Sequence, residues 1–264
     1  MRSRLRNLEV DTHWINGEEI TEQFRATMGK GRLMGKGYIN WSRPDEWQRA
    51  QVGVIDADVE EFLHVCDVRF DGKIAAQVSG QLDPRWQGMR FRQMRATMTG
   101  EGKLTMSGGR VSSTKLLDNI ARYSGLDELR TFTFERGVVE GTIAHGQVIV
   151  RRFELVSRDV IVRGTGTVTL ETGALDARFE LSVRPVLAKA SRLAEVRAAG
   201  EALARLAGRE DQFVTIPLPV SFGGTLERPI PYLDLPGQRS LRQGLQLIQG
   251  GFTTPTKTRR SPNH

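Results

Sequence analysis

Strict alternation of apolar and polar residues between Val160 and Val183 constrains this chain more than any other feature. In VIVRGTGTVTL, Val160, Val162, Val168 and Leu170 are apolar, and Arg163, Thr165, Thr167 and Thr169 alternate with them. In GALDARFELSV, Leu175, Ala177, Phe179, Leu181 and Val183 alternate with Asp176, Arg178, Glu180, Ser182 and Arg184. A period of two puts every second side chain on one face, so one face is buried and the other is wetted. Gly146, Ser157-Arg158-Asp159 and Glu171-Thr172-Gly173 interrupt the runs at hairpin spacing. The preceding run QVIVRRFEL changes parity at Arg151-Arg152, which predicts a bulge. Residues 146–184 therefore read as a three-stranded antiparallel meander.

The same grammar extends in both directions. Residues 5–14, 20–28, 32–41, 49–56, 72–83, 90–98 and 102–111 read as strands, with a short helix at Asp58–Val65. A helix is predicted over 114–129, with Leu116, Leu117, Ile120, Tyr123 and Leu126 along one side and Ser112 or Ser113 as its cap. A second is predicted over 186–207, opening at Pro185, with a narrow stripe of Leu193, Val196, Leu203 and Leu206. Val214, Ile216, Leu218, Val220 and Phe222 alternate in a closing strand. Pro217 and Pro219 there cannot donate to a ladder, which predicts an edge or one silent side. The organisation is an N-terminal β segment (1–99), a β region with the two helices (100–235), and a short helix with a disordered basic tail (236–264).

Composition narrows the function class. Apolar residues at 39% and charged residues at 26% fit a folded domain. The formal charge of +7 suits an anionic partner, either nucleic acid or acidic headgroups. Aromatics at 7% offer few stacking platforms, which disfavours single-stranded nucleic acid; the best basic-aromatic set is Trp41, Trp47, Trp86 and Phe91 with Arg90 and Arg92. Cys66 is alone, so no intrachain disulfide and no cysteine metal cluster can form. His64-x-Cys66 offers two metal ligands without a convincing third. GRLMGKG at 31–37 is one residue short of a phosphate loop and lacks its Ser/Thr, and no G-x-S-x-G elbow occurs. A non-catalytic protein without cofactor is expected. No run approaches the roughly 18–20 apolar residues that span a bilayer, and the basic start MRSRLRNLEVD has no apolar stretch behind it to make a signal peptide.

Three ordered stretches add a resemblance. They are GEGKLTMSGGRVSSTKLLDNIARYSGLDELRTFTFERGVVEGTI (100–143), VIVRGTGTVTLETGALDARFELSVRP (160–185) and IPLPVSFGGTLERPIPYLDL (216–235). Together they resemble the C-terminal region of the AsmA-like family, relatives of TamB and of the bridge-like lipid-transfer proteins. The chain departs from that family in lacking its N-terminal membrane anchor and in carrying a longer basic insertion at 186–207. The resemblance implies a mainly β fold, a long antiparallel meander curled into an open trough with two principal helices. It implies a periplasmic or cell-envelope location and a phospholipid-binding role in intermembrane lipid transport or outer-membrane biogenesis. The implied partners are phospholipid acyl chains, with the inner- and outer-membrane surfaces or envelope proteins beyond them. On that reading Val160, Val162, Val168, Leu170, Leu175, Phe179, Leu181, Val183, Val220 and Phe222 wall the lipid groove, and Leu116, Leu117, Ile120 and Tyr123 plug one end. From alternation alone the same residues are a buried core face. The competing function is a basic β-protein that binds nucleic acid or a protein partner.

Overall fold

Short connections set much of the architecture, because most of those between neighbouring strands are too short for anything but an antiparallel partner. A computed structural model describes residues 5–66, 68, 70, 72–207 and 213–233. The chain runs β1 (Leu5–Ile15), β2 (Glu18–Met28), β3 (Gly31–Asn40), β4 (Gln48–Asp58), α1 (Val59–Val65), β5 (Lys73–Leu82), β6 (Arg85–Trp86), α2 (Phe91–Thr97) and β7 (Gly100–Ser112). It continues through α3 (Lys115–Ser124), a 3₁₀ turn (Asp127–Arg130), β8 (Thr131–Ala144), β9 (Gln147–Val156), β10 (Val160–Thr169) and β11 (Leu175–Val183). It then passes through α4 (Pro185–Lys189), α5 (Ala194–Ala207), β12 (Val214–Gly224) and β13 (Pro229–Leu233). At Asn16-Gly17 both residues have positive φ (52° and 84°), the primed-turn geometry that matches strand twist.

These thirteen strands form one open antiparallel sheet in chain order, with β6 set beside β4 off the main path. The described residues as far as Tyr232 make one compact unit. The helix and tail expected at 236–264 lie outside the described residues.

The register shows why the sheet curls. Ile74 of β5 and Leu175 of β11 line the same chamber of about 230 Å³. Five ladder steps separate these strands, roughly 24 Å in a flat sheet. Both strands, with α3 over them, contribute to one wall, so the sheet curls about the chamber. Cross-strand partners place Gly102, Gly109, Gly137, Gly141, Gly164 and Gly166 together on the concave face. Rings lie over the space a side chain would fill: a Cβ on Gly164 would sit 2.7 Å from Phe179 Cδ1, and one on Gly109 would collide with the Phe134 ring. Small residues on the inner face let neighbouring strands close in, and the aromatic rings restore the packing.

Several expectations need correction. Residues 90–98 hold a helix, α2, and not a strand. Its FRQMRAT sequence has one β-branched residue and several good helix formers, and it buries none of its side chains. The helix expected over 114–129 ends at Ser124, because Gly125 adopts the left-handed conformation (φ 66°) and caps it. Its N-cap is Thr114, whose side chain accepts from Leu117 N at 2.9 Å, and not Ser112 or Ser113. The helix expected over 186–207 is broken at 190–193. There Ser191 Oγ donates to Ser124 O (2.7 Å) and Arg192 N to Gly125 O (2.9 Å), so the break supplies partners for carbonyls at the end of α3. β12 is internal, paired with β11 and β13; its ladder to β11 jumps from Ile216–Leu181 to Val220–Phe179, skipping Pro217 and Pro219. The expected bulge is present: β9 shifts register on both sides between Val150 and Arg152 or Phe153.

The wetted face carries its own cross-strand pairs. The Glu154 carboxylate accepts from Arg163 Nε (3.0 Å) on β10 and from Arg152 Nη2 (3.2 Å), and these bonds, Arg163 first, hold it below the ordinary carboxylate range.

Two outcomes follow. Gly164→Val forces a branched side chain into the Phe179 ring and should cost about 2–3 kcal/mol in urea unfolding, while Thr165→Val on the opposite face should cost little. A carboxyl held low in the fold contributes stability that is complete above its unfolded value and is lost as pH falls through the folded one. Glu154→Gln should therefore lower stability by about 0.5 kcal/mol at pH 7, and the difference should vanish near pH 3.

Candidate functional site

The concave face is apolar from β2 to β12. Met28, Val54, Val78, Val111, Phe134, Leu155, Val162 and Phe222 belong to one buried cluster along it. Helices cover this face at one end. Leu117 and Ile120 of α3 are buried against it, as are Val59 and Phe62 of α1. Ala188 of α4 and Val196 of α5 complete that cover.

Packing beneath the lids is incomplete in one place. Phe153 and Phe179 meet edge to face with centroids 5.8 Å apart, and Phe179 meets Phe222 in the same way at 5.6 Å. These rings fill the layer over Gly164. In the next layer the facing residues are Gly166, Ala177 and Val150, all small. The chamber of about 230 Å³ lies there, between that layer and α3, and no polar atom is exposed on its wall. It is larger than the ~150 Å³ apolar cavity that takes up benzene. Each methylene placed there gains about 0.8 kcal/mol relative to water.

The sequence-derived wall divides into three groups. Val162, Val168, Leu175 and Phe179 line the chamber, and from the helix so do Leu116, Leu117 and Ile120. Val160, Val183 and Phe222 are buried in the packed core and do not line it; Val183 and Phe222 are 0% exposed. Leu181 packs partly buried against that core, and Leu170 faces an adjoining polar space. Tyr123 lies in α3 and Val220 in β12, but their side chains are outside those described. Sequence reading missed Val150, Phe153, Phe132, Phe134, Ile74 and Met106, which complete the wall from β5 and β7–β9. Phe132 and Phe134 alternate with Thr131, Thr133 and Glu135, the signal that would have found them.

The features weighed for other chemistry do not assemble. Trp86 is buried, whereas Trp41 is stacked on Trp14 at 5.9 Å and Phe91 lies under Arg95, so the basic-aromatic set makes no common platform. Among the described residues no three His, Cys, Asp or Glu side chains are grouped to hold a metal. No described helix is long and apolar enough to cross a membrane.

A chamber that is space to be filled responds to added volume differently from packed core. Val168→Phe should leave urea stability unchanged or raise it by up to about 1 kcal/mol, whereas overpacking a filled core costs ~1–3 kcal/mol.

No protein-family model, curated protein or solved structure matches the chain, so the chamber itself carries the functional reading.

Proposed function

We propose that this protein is a non-catalytic phospholipid-binding module of the cell envelope, acting in lipid transfer between membranes or in outer-membrane maintenance. The observation that carries this reading is the apolar chamber between α3 and the curled sheet, with no polar atom exposed on its wall. Such a wall has no group to orient a polar substrate, and its natural occupant is hydrocarbon. Its size matches a segment of one acyl chain, so a lipid enters it in part and the remainder lies outside. The resemblance to the AsmA-like family supports the placement in the envelope and the partnership with phospholipid.

Magnitudes fit transfer and not storage. An acyl segment in the chamber gains about 0.8 kcal/mol per methylene relative to water, and a bilayer offers the same segment a similar gain. Exchange is then close to balanced, and loading and release need no chemical step at the site.

Protein purified gently from cells should show adducts of phospholipid mass in native mass spectrometry, and Val168→Phe should remove them. Clean apoprotein that also binds nucleic acid tightly, with strong salt dependence, would overturn the lipid reading in favour of a basic nucleic-acid-binding β-protein.

A further inference from the structure

Alternate chain reversals of an antiparallel sheet fall at the same end, and here the two ends differ. The lids α1, α3, α4 and α5 follow β4, β7 and β11 and so stand at one end. The opposite end carries the β1–β2 turn, the loop 41–47, the segment 87–99 with α2, and the turns after β8, β10 and β12. Hydrogen bonds join these tips into a rim. Trp41 N donates to Gly17 O (2.9 Å), Gly88 N to Pro44 O (2.6 Å), Arg95 Nη1 to Leu170 O (3.3 Å) and Leu226 N to Gly173 O (3.2 Å).

This rim leaves large apolar side chains in water. Trp14, Ile15, Trp41 and Trp47 are between 48% and 58% exposed, and Phe91 and Ile230 are 60% and 61% exposed. Among the described residues, the exposed large apolar side chains at the lid end are Val65 and Val186, and neither is aromatic. Single exposed apolar residues are ordinary, but three tryptophans at one end of a sheet are not. Two observations select what meets them. Charges between the tips compensate one another, Arg43 with Glu46 (2.9 Å) and Arg92 with Glu171 (3.1 Å), so attraction must come from the apolar side chains. Those side chains also stand apart: Trp14 and Trp41 stack at 5.9 Å, but Trp47, Phe91 and Ile230 lie on other tips. A protein partner buries a continuous, fitted patch, whereas a fluid bilayer interface takes up separate rings, and indole settles there with its N–H toward the headgroups.

We propose that this rim docks on a phospholipid bilayer by sinking its tryptophan, phenylalanine and isoleucine tips into the interface, and that acyl chains pass there between membrane and chamber. The second part rests on the reading that the apolar chamber holds an acyl segment. Val168 and Leu226 line both that chamber and the space at the β10–β11 tip, so chamber and rim share a wall. Docking by insertion needs no acidic headgroup, and a zwitterionic surface serves as well as an anionic one.

Flotation with vesicles of phosphatidylcholine, alone or mixed with phosphatidylglycerol, tests the docking, with bound lipid read by native mass spectrometry on the same preparations. Both vesicles should bind, with affinities within about threefold of each other and little changed between about 0.1 and 0.5 M salt. Phosphatidylcholine brominated on its acyl chains should quench the indole fluorescence of the wild-type protein, a reading of insertion that needs no substitution. Trp14→Ser combined with Trp47→Ser should weaken vesicle binding about tenfold or more. Both side chains are exposed, so the melting temperature should stay native, and Phe91→Ser on a separate tip provides a second variant. Binding confined to phosphatidylglycerol and lost in salt, or binding that survives the substitutions without bromine quenching, would overturn docking by this rim. Failure of both vesicles to bind would overturn it too and leave a protein partner for the tips; lipid adducts on that same protein would show that the acyl chamber stands. Tryptophan-dependent vesicle binding by protein free of adducts would instead overturn the chamber reading and leave the docking rim in place.

Discussion

Aromatic rings lying over glycines are the contact on which the rest of this structure depends. A curling sheet brings the side chains of its concave face together, and ordinary residues on every inner position would force it open. Here glycines recur on that face, and Phe179, Phe134 and Phe24 occupy the space above Gly164, Gly109 and Gly35. The curl follows from close strand approach, and the apolar chamber follows from the point at which ring coverage stops, at the layer of Gly166 and Ala177.

The lids depend on that curvature in turn. α3 is too short to stand alone, as isolated helices of its length are marginal in water. It is held by Leu117 and Ile120 on the sheet, and its C-terminal carbonyls are taken by Ser191 and Arg192 from the break between α4 and α5. The sequence of α4 and α5 reads as one helix because its propensity is continuous. Its interruption comes from a tertiary partner 67 residues away, Ser124, which no local pattern encodes.

Much of the fold is legible in residue patterns because alternation is a property of neighbours in sequence. β10 and β11 and most strands before β6 can be read within a residue or two, and so can the bulge at Arg151 and the helix α1. Alternation identifies which face is inward but not what lies on it: Val162 and Val183 share one face, yet one borders the chamber and the other is sealed in the core. That difference is made by lids contributed from elsewhere in the chain. The segment 90–98 is misread for a related reason. It buries nothing, so it carries no periodic pattern, and local propensity alone decides its form.

The order of strands in the sheet has a kinetic consequence. Every partner along the path is the next strand in the chain apart from β6, which is set aside, and the widest gap, between β11 and β12, holds only α4 and α5 among the described residues. Such a chain closes short loops one after another, as a repeat protein does, and needs no early long-range encounter to begin folding. Pairing can start at any hairpin and spread outward, each completed strand serving as the template for the next. Local stability should then be graded: highest at β7–β11, beneath the helices, and lowest at β1, where all but the first residue are exposed on both faces. Hydrogen exchange would record that gradient as a progression from one edge of the sheet to its centre.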